Sequence, residues 1–129
     1  MTIPVPLGDL EQLLATAGYA SALLITVPAT GHAKVLTVDP VPDGRVLLVP
    51  TPSRGAAANL AANPAVTLVW PPQQRHGFTL IVDGTGVADD EGITVTPVHA
   101  ILHRPRTHAD GPQAPYPLSD RADRADRAE

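Results

Sequence analysis

Short apolar segments separated by turns constrain the fold of this chain more than any other feature. Six segments have the length and residue types of β-strands: 19–27, 32–39, 45–49, 65–70, 77–88 and 93–102. Proline and glycine, at 15 and 10 of 129 residues, mark the turns between them. Tight turns at this spacing favour an antiparallel barrel or sandwich over a doubly wound parallel sheet.

Two further segments have the pattern of short helices. Leucine and alanine recur at helical spacing in residues 7–17, and Gly18 follows as a natural residue beyond a helix C-terminus. The alanine-rich segment 56–62 should also be helical, with Ser53 as its cap. The Asn63-Pro64 pair should end it, because a residue before proline avoids the helical conformation. The sequence therefore predicts a mainly β fold with two short helices.

The C-terminal part of the chain differs in composition from the rest. Residues 107–129 carry three prolines and then a repeated Asp-Arg-Ala triplet, and they have no apolar face. A segment that cannot bury apolar surface does not compensate for the entropy of folding. We therefore predict one globular domain over residues 1–106 and a disordered tail over residues 107–129.

Composition narrows the classes of function. The net charge is −4, with one lysine and four aromatic residues, which argues against a nucleic-acid partner. The absence of cysteine excludes disulfides, zinc–thiolate sites and thiol nucleophiles. Neither a signal-peptide pattern nor an apolar run of membrane length is found. We expect a cytoplasmic protein without a membrane partner.

The titratable residues do not form a catalytic pattern. His99 and His103 share one face of the last strand, but their backbones lie roughly 13 Å apart, too far to share a metal ion. The carboxylates of Asp83 and residues 89–91 cluster around a turn, which indicates a solvated turn rather than an acid–base pair. No serine lies in a G-x-S-x-G motif. We therefore predict no metal site and assign no catalytic residue.

A candidate anion site lies between the third strand and the alanine-rich helix. The first turn of a helix has unpaired N–H groups and a positive dipole end. Thr51, Ser53 and Arg54 add hydroxyl and guanidinium donors that suit a phosphate. The alternative is that Ser53 only caps the helix and Arg54 lies in solvent. Lys34 either points at the same anion or is a charge that protects an edge strand from aggregation.

Four stretches carry a resemblance to a known family. They are HAKVLTVD at 32–39, RVLLVPTPSRGAAANLAANPAVTLVW at 45–70, VDGTGVAD at 82–89 and ITVTPVHAILHRP at 93–105. Their order resembles the flavin-binding split-barrel proteins of the pyridoxamine 5′-phosphate oxidase-like group, over about residues 7–105. The resemblance implies a six-stranded antiparallel split β-barrel, with FMN held at the interface of a homodimer.

The resemblance also implies which residues hold the cofactor. Those implied for the phosphate are Lys34, Thr51, Ser53 and Arg54. Those implied near the isoalloxazine ring are Val35, Leu36, Pro50 and Thr79. The family's usual Ser-Arg-Lys is Ser-Arg-Gly here, so Gly55 stands where a phosphate-binding cation is expected. The chain also lacks the C-terminal segment with which pyridoxamine phosphate oxidases hold their substrate.

The function implied is that of an FMN-dependent oxidoreductase acting on a small molecule that the sequence does not identify. Two groups of alternatives remain open. The first is a reductase that uses an 8-hydroxy-5-deazaflavin cofactor, or a haem-binding relative. The second is a non-catalytic flavin-binding protein, or a barrel without a cofactor.

Overall fold

A computed structural model describes residues 1–105 of the chain, so the predicted tail lies outside the described residues. The strands are β1 (Thr2–Pro4), β2 (Ala22–Thr26), β3 (Lys34–Val38), β4 (Val41–Asp43), β5 (Val46–Val49), β6 (Ala65–Trp70), β7 (Thr79–Asp89) and β8 (Gly92–His103). The α-helices are α1 (Leu10–Thr16), which follows a 3₁₀ turn at Leu7–Asp9, and α2 (Arg54–Ala62). Within these residues, no helix is long and apolar enough to cross a membrane.

The predicted mainly β class is confirmed, and all six predicted strands and both predicted helices are present. The structure adds β1 and β4, which are strands of three residues each. Their sequences, Thr-Ile-Pro and Val-Pro-Asp, contain proline and are too short to show an alternating pattern. Backbone pairing with a longer neighbour therefore makes these segments strands, since their own residues give no such signal.

All strands belong to one antiparallel sheet that curls until its two edges meet. The strand order is β3-β2-β6-β7-β8-β5-β4, with β1 pairing the second half of β8. The edge strands β3 and β4 are joined by Asp39 and Pro40, so Val38 and Val41 lie at most about 11 Å apart. The sheet therefore closes on itself at this link and is open elsewhere, which is the architecture of a split barrel.

The inside of the barrel is filled by alternate residues of the strands. Along β2, Ala22, Leu24 and Thr26 are buried, whereas the residues between them are half-buried on the outer face. Leu24 and its neighbour Leu68 on β6 are both 0% exposed. Burying each such side chain stabilises the fold by about 1.5–3 kcal/mol. This alternation explains why the strands could be recognised from the sequence.

A bulge bends the long hairpin formed by β7 and β8. Asp83 pairs with His99 but Gly84 pairs with Pro97, so one residue of β8 has no partner across the ladder. A Cβ atom at Gly84 would collide with the carbonyl oxygen of Thr96. Glycines inside a strand pattern, here Gly84 and Gly86, and a proline such as Pro97 predict a bulge, and the structure confirms it. Glycine is required at position 84 for close approach of the two backbones.

The barrel end near the start of β7 contains a buried arginine. Arg104 is 2% exposed, and its guanidinium carbon lies 4.5 Å from the ring centroid of Phe78. Its Nη1 donates to the carbonyl of His76 at 3.3 Å, while Nε and Nη2 are buried and have no hydrogen-bond partner among residues 1–105. The hydroxyl of Tyr19 donates to the carbonyl of Phe78 at 3.0 Å. Arginine and aromatic residues together therefore fill this end of the core.

Candidate functional site

The N-terminus of α2 is built as the sequence predicts. Ser53 is the N-cap residue in an extended conformation, and its Oγ accepts a hydrogen bond from the Ala56 N–H at 3.2 Å. The predicted cap is therefore confirmed. Because the cap uses only a lone pair, the hydroxyl hydrogen of Ser53 is a separate donor that can point outward. Capping and anion binding by Ser53 are thus compatible.

Lys34 lies across the first turn of α2. A Cβ atom built on Gly55 would be 2.7 Å from Lys34 Cε and 3.1 Å from Lys34 Nζ. The lysine stem therefore occupies the space that any side chain at position 55 would need. Gly55 leaves room for a cation from β3 at the place where the family resemblance implies a cation from the helix itself.

The charges at this turn are positive. The first turn of α2 contains no acidic residue, and Arg54 is exposed there. Lys34 is half-buried and approaches from the sheet, and the exposed Thr51 precedes the cap in the same loop. The structure thus brings Lys34, Ser53 and Arg54 to the helix start. Within residues 1–105, no three His, Asp or Glu side chains are placed to hold a metal ion.

A hydrogen bond ties α2 to the sheet beneath the site. Asn59 Nδ2 donates to Thr26 Oγ1 at 3.0 Å, and Thr26 is the residue opposite Lys34 in the β2–β3 ladder. The buried Leu60 packs beside Gly86, where a Cβ atom would lie 3.2 Å from either Leu60 Cδ atom. The sequence does not single out Asn59 or Thr26, because one polar side chain on each element does not reveal its partner.

The turn between β7 and β8 supports the loop from the other side. Gly92 has φ +150°, and a Cβ atom there would collide with the Val49 carbonyl oxygen and lie 3.0 Å from the Thr51 nitrogen. Asp89 Oδ1 accepts from the Glu91 and Gly92 N–H groups at 2.8 and 3.1 Å. The carboxylate of Asp89 therefore organises this turn, as predicted for residues 89–91. The prediction was wrong for Asp83, which lies within β7 and accepts a hydrogen bond from Thr67 Oγ1 at 2.6 Å.

The residues implied for the isoalloxazine ring are more dispersed. Pro50 is exposed at the start of the loop. Val35 is 53% exposed on the outer face of β3, whereas Leu36 is half-buried on the inner face. Thr79 pairs with His103 and lies five residues along β7 from Gly84, or about 16 Å. Gly84 pairs with Val66, at the end of the sheet where Lys34 lies. Thr79 is at the opposite end of β7, so within a single chain it does not reach the loop.

Solved structures with the same overall fold define the class of this protein. HupZ of Group A Streptococcus has a TM-score of 0.56 at 13% identity, covering 83% of this chain and 97% of that one. An FAD binding protein from Mycobacterium smegmatis has a TM-score of 0.55 at 17% identity, covering 81% and 100%. An F420 reductase has a TM-score of 0.53 at 19% identity, covering 68% and 94%. The chain therefore has the split-barrel fold of these proteins.

Sequence comparison places the chain in a family with two mycobacterial proteins. They are the uncharacterized proteins Mb0449c of Mycobacterium bovis and MT0457 of Mycobacterium tuberculosis, each 37% identical over 113 residues. The match covers 74% of this chain and 80% of each relative. The chain belongs to the family of these two proteins. Profiles of known protein families give no match.

Proposed function

We propose that the start of α2 binds the phosphate of a flavin nucleotide, and that this nucleotide is FMN. The observation that carries the proposal is the position of Lys34 across Gly55, next to the exposed Arg54. Two cations from different elements thus flank a helix N-terminus that has no acidic residue in its first turn. This arrangement suits an anion with several acceptor oxygens.

The neutral donors complete the proposed phosphate site. Thr51 and Ser53 have hydroxyl groups in the loop, and the N–H groups of Arg54 and Gly55 belong to the first turn, where no intrahelical acceptor exists. A hydrogen bond to a charged group contributes about 1.5–3 kcal/mol. Lys34 and Arg54 should therefore account for most of the preference for a phosphorylated ligand.

We further propose that the protein is a flavin-dependent oxidoreductase acting on a small molecule. The names of the neighbours, an FAD binding protein and an F420 reductase, support a flavin-type ligand on this fold. Flavin would supply the redox chemistry, and the protein would supply binding and orientation. Val35, Leu36, Pro50 and Thr79 are the residues proposed near the ring. Thr79 lies about 16 Å along β7 from Gly84, so it would reach the ring only from a second copy of the chain. No catalytic side chain is assigned.

A deazaflavin cofactor is the second candidate, favoured by the likeness to an F420 reductase. It would use the same positive turn, because it too carries a phosphate. The two cofactors can be separated by titrating both into the purified protein under identical conditions. Tighter binding of the deazaflavin would replace FMN in the proposal but leave the assigned roles of Lys34 and Arg54 intact.

We propose a homodimer in which a second copy covers the outer face of the sheet. Val35 is 53% exposed there, and Ile25, Val69 and Ile81 on successive strands are half-buried, so their side chains form an apolar surface. Static light scattering should give twice the chain mass, and Val69→Glu should give a monomer. A monomeric wild type at micromolar concentration with flavin bound would contradict the dimer.

The phosphate proposal is tested by comparing FMN with riboflavin, which differs from FMN by the phosphate alone. Fluorescence titration of the wild type should show tighter binding of FMN. Arg54→Ala and Lys34→Ala should each weaken FMN binding roughly ten- to hundredfold, since each removes a charge-assisted hydrogen bond. Riboflavin binding should not change in either variant.

A matched control separates a local contact from a general loss of positive charge. Arg75 is an exposed arginine in the loop between β6 and β7, away from α2. Arg75→Ala should bind FMN as the wild type does. Equal affinity of the wild type for FMN and riboflavin, or an equal loss in Arg75→Ala and Arg54→Ala, would overturn the phosphate site.

A further inference from the structure

A cavity lies between α1 and the link that joins β3 to β4. Its volume is about 550 Å³, which is in the range of pockets that hold small molecules. Asp39, which lines it, follows the last residue of β3, whereas Lys34 is the first. The cavity is therefore separated from the proposed phosphate site by the length of β3, or about 13–16 Å.

The charged groups of this cavity are negative. Among the described residues that line it are two carboxylates, Glu11 on α1 and Asp39, and no lysine, arginine or histidine. Asp39 Oδ1 accepts a hydrogen bond from Ser21 Oγ at 2.6 Å. This bond holds the carboxylate in one orientation and leaves Oδ2 as an acceptor. A cation entering the cavity would meet a fixed acceptor, and an anion would be repelled.

Aromatic rings form a second part of the wall. Tyr19 and Trp70 line the cavity together with the apolar side chain of Leu14. The Tyr19 hydroxyl is held by the Phe78 carbonyl, and burial raises the Tyr19 pKa to about 12, so the ring stays neutral and fixed in place. Aromatic faces carry negative potential and attract cations within about 6 Å. The buried Arg104 lies against Phe78 and is not among the residues that line the cavity.

We propose that this cavity binds a small organic cation, a primary amine on an apolar body. The ammonium group would bind the Asp39 carboxylate, with Glu11 adding to the negative field at the mouth. The apolar body would lie against Tyr19, Trp70 and Leu14. This is a binding site separate from the proposed flavin site, and it does not depend on a flavin being bound.

Three probes of nearly equal size test the charge requirement. They are 2-phenylethylammonium, 2-phenylethanol and phenylacetate, each titrated into the full chain. Trp70 is the single tryptophan of the chain and lines the cavity, so its fluorescence reports occupancy. The amine should bind at least about tenfold more tightly than the alcohol, because only the amine gains a charge-assisted hydrogen bond. Phenylacetate should bind most weakly.

Variants then locate the ammonium group. Asp39→Asn still accepts the Ser21 bond, so the fold should persist, but amine affinity should fall about tenfold. Glu11→Gln should cost two- to threefold, because Glu11 adds only a screened field at the mouth and makes no direct bond to the ammonium group. Asp43→Asn, a control at an exposed carboxylate that does not line the cavity, should have no effect.

Three results would overturn the proposal. They are no fluorescence change with the amine up to about 10 mM, binding of phenylacetate as tight as that of the amine, and an Asp39→Asn variant with unchanged amine affinity. FMN titration of Asp39→Asn distinguishes this proposal from the proposed function. Its FMN affinity should equal that of the wild type, whether or not the amine binds.

Discussion

Two arginines at opposite ends of the barrel have opposite surroundings. Arg54 begins α2 and is exposed, next to the stem of Lys34. Arg104 follows β8, is 2% exposed and stacks on Phe78. Each side chain carries a permanent positive charge. One charge is directed toward solvent, where a ligand can reach it, whereas the other is enclosed by the protein itself.

The contrast shows how burial changes what a charge contributes. A ligand can approach Arg54 without rearrangement of the chain, so the charge can contribute to binding. Arg104 has one hydrogen bond from Nη1, whereas its buried Nε and Nη2 have no partner in the part of the chain that the structure describes. A buried donor left unpaired costs about 1–3 kcal/mol, so packing and stacking by the rest of the side chain must offset it. We therefore expect Arg104 to act on stability and Arg54 on affinity.

Replacing Arg104 should give the largest effect on stability. Arg104→Ala removes the stem that packs in the core and the contact with Phe78, and should lower the free energy of unfolding by about 3 kcal/mol. Arg54→Ala should change it by less than about 0.5 kcal/mol, because the side chain is exposed. Urea unfolding followed by circular dichroism measures both.

A second variant separates the charge of Arg104 from its volume. Arg104→Met keeps an apolar stem but removes the unpaired donors, so its stability should lie within about 1 kcal/mol of the wild type. An Arg104→Met variant as unstable as Arg104→Ala would mean that the guanidinium itself stabilises the fold.

The next largest effect should come from Gly55→Ala, which should lower the affinity for FMN and raise the free energy of unfolding. Gly55→Ala places a methyl group where the Lys34 stem lies, so that lysine must move. FMN affinity should fall about tenfold, as expected for a charge-assisted hydrogen bond that is lost. Because alanine favours a helix more than glycine does, the free energy of unfolding should rise by about 0.5 kcal/mol. FMN titration and urea unfolding of the same sample measure the two changes.

The double variant tests whether Gly55 acts through Lys34. In Lys34→Ala, the further change Gly55→Ala should leave FMN affinity unaltered, since the lysine is already absent. Additive losses in the double variant would show that Gly55 affects the cofactor by another route. Unchanged affinity in Gly55→Ala alone would show that Lys34 does not bind the phosphate from this position.

Removing the helix cap should lower the free energy of unfolding and, to a smaller extent than the variants above, the affinity for FMN. Ser53→Ala leaves the Ala56 N–H without its acceptor and should lower the free energy of unfolding by about 1 kcal/mol. It also removes a hydroxyl donor, so FMN affinity should fall by less than in Arg54→Ala. Ser53→Asp, which caps equally well but adds a negative charge, should restore stability and weaken FMN binding further. Recovery of FMN affinity in Ser53→Asp would argue against a phosphate at this turn.

The smallest predicted effect concerns pH at the Arg104 end of the barrel. Burial raises the pKa of Tyr19 from 10.0 to about 12, so the folded chain keeps this proton where the unfolded chain releases it. The contribution of this retained Tyr19 proton to the free energy of unfolding is fully present below pH 10 and declines as pH rises from 10 to 12. Urea unfolding between pH 8 and about pH 11 should show this decline in the wild type, and a shallower one in Tyr19→Phe. Identical slopes would contradict the assignment to Tyr19.

The two ends also differ in how far they could be predicted from the sequence. At the α2 end, the strand, the hydroxyl loop, the Ser53 cap and the helix follow one another along the chain, and each has a local signal. At the other end, Arg104 looks like an ordinary charge after a strand. Its burial depends on Phe78 and on the His76 carbonyl, which belong to a different strand and a loop. No local pattern reveals such a contact.

The sequence by itself determined the six longer strands, the helices, the bulge near Gly84 and the cap at Ser53, but not β1 and β4. These features depend on residue preferences and periodicity over a few neighbouring positions, which can be read directly from the chain. Tertiary structure alone decided that β3 and β4 form the two edges of one sheet, that Lys34 lies across Gly55, and that a cavity with carboxylates and aromatic rings forms beside α1. These features arise where the curled sheet brings together residues that are distant in the chain, and short-range preferences carry no information about such pairs.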